Sequence, residues 1–153
     1  MRALKSGVDD NRQKINELIE QNKQLSDKID TMENAGDKMK AHMLRNNLIF
    51  HGIPQSGLET WEQMEELLCG FITDKLDIDG SQIEFQIVHR LTYARSRPQP
   101  IIGKFLRYKQ RDEVLRAAVK LKGTEFRIRE DFTPKIRDLR RKLGKFVVDA
   151  RAE

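Results

Sequence analysis

The side chains of this chain best equipped for chemistry are its clustered arginines and lysines, and the chemistry they suit is contact with phosphate. Arg137, Arg140, Arg141, Lys142 and Lys145 crowd one short segment, and Arg90, Arg95, Arg97 and Lys104 precede them. A guanidinium grips a phosphate through two parallel N–H donors, whereas a lysine acts as a point charge. The overall charge of +5 is modest, but its distribution is uneven. Residues 1–44 carry 8 basic and 8 acidic side chains, residues 45–88 carry 2 and 8, and residues 89–153 carry 19 and 8. Residues 89–153 therefore hold a net +11, the footprint of a surface that meets a polyanion and releases its counterions. A solvated charged face is the competing reading of the same residues.

Residue types suited to catalysis are present but not gathered. His42, His51 and His89 are scattered without the spacing of a metal site. Cys69 lies beside Leu68 and Ile72 on an apolar helix face, where a thiol packs as a small hydrophobe. No GxxxxGK[ST] loop is present. A glycine-containing loop, Gly52-Ile53-Pro54-Gln55-Ser56-Gly57, follows the first strand, as in acylphosphatases, but Pro54 removes one of the amides needed to hold an anion. The expectation is a binding protein, not an enzyme, with no cofactor and no metal. No apolar run approaches the ~20 residues that span a bilayer, no signal peptide is evident, and a lone cysteine suits a reducing compartment. An intracellular protein is expected.

Two kinds of element must position the basic residues. Residues 4–43 follow a heptad, with Val8, Ile15, Asn22, Ile29, Gly36 and Met43 at a and Leu4, Asn11, Leu18, Leu25, Met32 and Met39 at d. Nine of these twelve are apolar and no proline intervenes, so a parallel coiled coil about 60 Å long is predicted. A single amphipathic helix lying on the domain would need a wider stripe. Asn11 and Asn22 penalise slipped registers, and Lys28 at g with Glu33 at e can bridge neighbouring helices. Ile15 and Ile29 at a over Leu18 and Leu25 at d favour two strands by the general rule. Gly36 weakens the coil near its end.

Near Arg45 the period changes from seven to two. Strands are predicted over 47–53, around Ile83, Phe85 and Ile87, over Ile101 to Leu106 and over Phe126 to Arg129. Helices fall between them. One opens at Thr60 or Glu59 and buries Trp61, Met64, Leu67, Leu68, Phe71, Ile72 and Leu76; the other covers 109–122 with Val114, Leu115, Ala118, Val119 and Leu121 inward. The order is β-α-β-β-α-β, a ferredoxin-like antiparallel sheet with both helices on one face. Period two then places Ile49, His51, Ile102 and Lys104 on the open face, with Val88 and Arg90 joining from the second strand. Such a face offers aliphatics and cations in place of stacking rings, so binding should rest on phosphate contacts, with weak sequence preference and strong salt dependence. From Thr133 as cap and Pro134 at the first position, a last helix carries Ile136, Leu139, Leu143 and Phe146 on one face and the basic cluster on the rest. The domains are 1–44, a coiled-coil stalk; 45–131, the sheet domain; and 132–153, a basic helix that would open an incomplete C-terminal domain.

The series Arg45-Asn46-Asn47-Leu48, Gly52-Ile53-Pro54, His89-Arg90-Leu91, Pro100-Ile101-Ile102-Gly103-Lys104-Phe105, Leu115-Arg116-Ala117-Ala118, Glu130-Asp131-Phe132 and Arg140-Arg141-Lys142, placed after a heptad seam, resembles the first-open-reading-frame protein of LINE-one-class retrotransposons. The resemblance covers nearly the whole chain. It implies a coiled coil followed by an RNA-recognition-motif (RRM) domain poor in aromatics, and a homotrimer in preference to a dimer. It further implies coating of single-stranded RNA, with DNA as a second ligand, chaperoning of strand annealing during transposition, and a cytoplasmic ribonucleoprotein with access to the nucleus. Carried over by position, its nucleic-acid contacts fall on Arg45, Arg90, Arg95, Arg97, Lys104, Arg140 and Arg141, to which the basic helix adds Arg137 and Lys142. The oligomerisation residues are Val8, Asn11, Ile15, Leu18, Asn22, Leu25, Lys28, Ile29, Met32 and Glu33. Ile49 and Val119 stand where some relatives carry arginine, and Lys28 stands where arginine is usual in the trimer-specifying pattern. Only the first helix of the family's C-terminal domain can be matched.

Overall fold

The computed structural model describes residues 2–152. The protein is α+β and divides into two compact units with the boundary between Lys40 and Ala41. Helix α1 (Arg2–Leu44) has no buried residue. Its seam side chains stand largely in solvent, Leu4 and Met32 at more than 70% exposure and Ile15, Leu18, Leu25 and Ile29 each above half. Helical geometry continues through Gly36. Side-chain bonds one turn apart, Gln13 to Glu17 and Gln24 to Glu20, support an exposed helix only weakly.

The second unit is built on four antiparallel strands, β1 (Asn47–His51), β2 (Phe85–Arg90), β3 (Ile101–Phe105) and β4 (Arg127–Glu130), in the spatial order β2-β3-β1-β4. Helix α2 (Trp61–Leu76) starts at Thr60, whose side chain accepts from the Gln63 amide while the Gln63 side chain accepts from the Thr60 amide. This reciprocal cap satisfies two otherwise orphaned donors and fixes the helix start. Met64, Leu68, Phe71, Ile72 and Leu76 of α2 pack on the sheet with Leu48, Phe50, Val88, Ile101 and Phe105. The approach is close at Gly103, where a Cβ would lie 3.0 Å from Leu68 and Phe85 carbons. Phe71 anchors the far end through edge contacts with Phe50 and Phe126, centroids 6.2 and 5.1 Å apart.

Several expected details differ. Trp61 is 64% exposed and Leu67 also lies outside the packed face, so α2 buries a narrower stripe than its composition offers. Helix α3 (Tyr108–Ala117) tightens into a 3₁₀ turn, Ala118–Leu121. That change of pitch rotates Val119 into solvent, at 72% exposure, while Leu121 is buried. In β2 the pairing with β3 is irregular between Phe85 and Ile87. Phe85 opposes Phe105 on the helix side, but beyond the bulge Val88 opposes Gly103 and Arg90 opposes Ile101. One extra residue reverses the parity. Val88 and Arg90 therefore face the helices, and Ile87 and His89 take the open face.

Helix α4 (Pro134–Ala152) begins at Thr133, whose side chain accepts from the Ile136 amide at 3.4 Å and whose carbonyl accepts from the Arg137 amide at 2.9 Å. None of its residues is buried. Leu139, Leu143, Phe146 and Val147 form an exposed apolar stripe. Among the described residues, no helix is long and apolar enough to cross a membrane.

Candidate nucleic-acid interface

The open sheet face acquires its charge from β4. Arg127, Ile128, Arg129 and Glu130 alternate, and Ile128 opposes buried Phe50. Arg127 and Arg129 must then point the other way, opposite His51 and Ile49, and both are exposed. A cavity of about 600 Å³ opens beside them, lined by Ile49, His51, Tyr93, Arg129, Arg137 and Arg140 among others. Strand β4 and helix α4 thus bring three arginines to one concavity.

Arg140 is held there by its neighbours. Its guanidinium lies 4.5 Å from the Phe132 ring centroid and 4.0 Å from the Glu130 carboxylate, yet its side chain remains 62% exposed. Glu130 is bound more tightly to buried Arg111, at 2.7 Å, so it does not neutralise Arg140 by itself. Arg137 donates to the Phe132 carbonyl at 3.3 Å. His51 titrates below the ordinary histidine value, chiefly because it is partly buried and further because Arg129 and Arg127 stand beside it. A neutral imidazole among cations is the resting state at neutral pH.

The other expected contacts are dispersed. Lys104 lies half-buried on the open face, across from Ile87. Arg95 is exposed on the β2–β3 loop. Arg97 folds back on that loop, donating to the Ala94 and Ser96 carbonyls, and lines a different cavity with Gly52, Gln55 and Glu125. Arg45 stacks 4.2 Å from the Tyr108 ring centroid, beside a third cavity that includes Arg111 and Ile136. Arg141 pairs with Asp138 at 3.2 Å and Lys142 is exposed.

Arg90 does not belong to the surface. It is 6% exposed. Its Nε and Nη2 donate to Glu59 at 2.9 and 3.0 Å, Nη1 donates to the Ile53 and Gln99 carbonyls, and Nη2 also reaches the Pro54 carbonyl. The guanidinium joins the β1–α2 loop to the β2–β3 loop, so Arg90 lies on the helix side of the sheet and not on the open face where period two predicts it. The bond to Arg90 holds the Glu59 carboxyl below the usual glutamate range against the opposing effect of burial. Both loops are further tied by a reciprocal amide pair: Gln55 Nε2 donates to Gln99 Oε1 at 3.1 Å, and the Gln99 backbone amide donates to Gln55 Oε1 at 3.2 Å.

Arg127, Arg129, Tyr93 and Phe132 were absent from the expected contacts. The alternation in β4 carries the signal for the two arginines. Nothing periodic marks the two rings, which lie outside the strands. Cys69 is pushed up by burial, and further by Glu65 and Glu66, so it is held as the neutral thiol. Among the described residues, no three His, Cys, Asp or Glu side chains gather as a metal site.

No protein-family model matches the chain, and no curated protein matches it.

Proposed function

We propose that this protein binds single-stranded nucleic acid, RNA above all, as a retrotransposon-type coat and annealing chaperone, holding the phosphate backbone with arginines and reading sequence weakly. The observation that carries this reading is the convergence of Arg129, Arg137 and Arg140 on one cavity beside β4, with Arg127 exposed nearby on the same strand. The β-α-β-β-α-β order with strands arranged β2-β3-β1-β4 supports an RRM-like reading of the domain. An RRM-like domain meets RNA across its open sheet face, and the arginines around the cavity support a phosphate path that runs past β4. Helix α4 would be the opening helix of a C-terminal domain of the same system.

Self-association through α1 is the second part of the proposal. A helix of 43 residues with no buried side chain and an exposed heptad seam gains most of its stability from packing that seam on another helix. A homotrimer, with a dimer as the alternative, would join several weak phosphate sites and raise their local concentration. That multivalency suits a chaperone, which must hold strands firmly in sum and release each contact quickly. The setting proposed is a cytoplasmic ribonucleoprotein, and the role is binding without a catalysed reaction.

The test is titration of the full chain against fluorescent single-stranded RNA and a matched DNA at low and moderate salt. Tight, weakly sequence-dependent binding that collapses with salt is expected. No binding at low salt would leave a coiled-coil assembly module.

A further inference from the structure

We infer that the cavity beside β4 receives an unstacked base of the bound strand, with Tyr93 as the ring on which that base stacks. This rests on the nucleic-acid reading above and adds what phosphate contacts alone do not supply, a reason to prefer single strands over duplex.

Tyr93 is 82% exposed and lines the cavity, so its ring face is open to a ligand that stacks on it. The loop that carries it is nonetheless well tied. The Leu91 amide donates to the Pro100 carbonyl at 2.8 Å, Ala94 donates to Leu91 at 3.1 Å, and the Gln99 side chain donates to Thr92 at 3.1 Å. Arg90 fixes the same loop from beneath through the Gln99 carbonyl at 2.7 Å. A ring presented on an anchored loop needs little further ordering to bind.

The walls of the cavity divide as a nucleotide does. Ile49, Leu91 and Pro100 supply apolar surface for a flat base, and Arg129, Arg137 and Arg140 supply donors for its phosphates. Of the two carboxylates at this place, Glu130 is paired with Arg111 at 2.7 Å, which limits its repulsion of a phosphate, and Asp131 accepts from the Asn47 amide at 3.0 Å, which fixes its position but keeps its charge. Arg140, stacked over Phe132, adds a second flat cationic plane suited to a base. At about 600 Å³ the space lies within the range of small-ligand sites, about 300–1,000 Å³. Duplex bases are already stacked on one another and cannot enter.

The experiment compares three ligands of equal length on the full chain: a single strand, its duplex, and a single strand with abasic residues that keeps the phosphates. Tyr93→Ala should weaken the base-bearing single strand by roughly 5- to 150-fold, the span of one base–aromatic stack, bringing it toward the abasic strand. The duplex and the abasic strand should be unchanged, and Tyr93→Phe should bind as the unaltered chain does. An equal loss on the abasic strand, or no loss on any ligand, overturns the inference while leaving the coat reading intact. Failure of the unaltered chain to bind any of the three removes both.

Discussion

Arg90 and Glu59 form a two-pronged ion pair, at 2.9 and 3.0 Å, with only 5% and 7% of their side chains exposed. A charge buried this deeply is tolerated because every prong has a partner, and the loss of either residue strands the other. Arg90→Ala should therefore lower unfolding stability by about 3–5 kcal/mol, read from denaturant midpoints, and should also weaken single-strand binding indirectly, because Arg90 ties down the loop that presents Tyr93. Arg90→Lys, which keeps the charge but not the fork, should recover only part of the loss. The pH dependence has a definite sign. Glu59 titrates lower in the folded protein than when unfolded, so its contribution is present at neutral pH and is lost as pH falls through the carboxylate range. In Glu59→Gln that part of the acid destabilisation should disappear.

His51 predicts a second pH effect, in binding. In the free protein burial, Arg129 and Arg127 favour the neutral ring, while Tyr93, Asp131, Arg137 and Arg140 stand around the same cavity. A phosphate brought into that cavity favours the imidazolium, so the bound form takes up a proton that the free form lacks. Affinity should rise as pH falls through the bound-state value of His51 and level off beneath its lower free-state value. Calorimetry in two buffers of different ionisation enthalpy measures the uptake directly, and His51→Gln should abolish it. Histidine 42, outside that cavity, serves as the control: His42→Gln should leave the uptake in place.

The seam of α1 predicts a change of assembly without a change of site. Leu18→Asp with Leu25→Asp places charges in two core layers and should leave a monomer by sedimentation equilibrium. Affinity for a long single strand should fall by about 10²-fold or more as multivalency is lost, while affinity for an oligomer too short to span two copies stays the same. Equal losses on both lengths would argue that α1 itself contacts the strand.

How far these features were legible in the sequence depends on the physics behind each. The sequence narrows the start of α2 to Glu59 or Thr60, and the capping pair Thr60 and Gln63, a purely local device, decides it. The order of elements was legible because each period persists long enough to be read. The face of Arg90 was not, because a bulge between Phe85 and Ile87 reverses parity without altering the apolar pattern. Val119 failed for a related reason, since a helix that tightens near its end no longer keeps phase. Arg127 and Arg129 were readable by alternation against Ile128. Tyr93 and Phe132 were not, because loop residues reach a site through the fold and not through a repeat.

The measurement that bears most directly on the central claim is the slope of log affinity against log salt for the full chain on single-stranded RNA, compared with Arg129→Ala plus Arg140→Ala. The account predicts weaker binding on every sequence and a slope shallower by about 0.7 for each phosphate contact removed per chain, whereas Arg97→Ala, which lines another cavity, leaves the slope nearly unchanged. A double variant that keeps the full slope, or that loses affinity on one sequence alone, would contradict it.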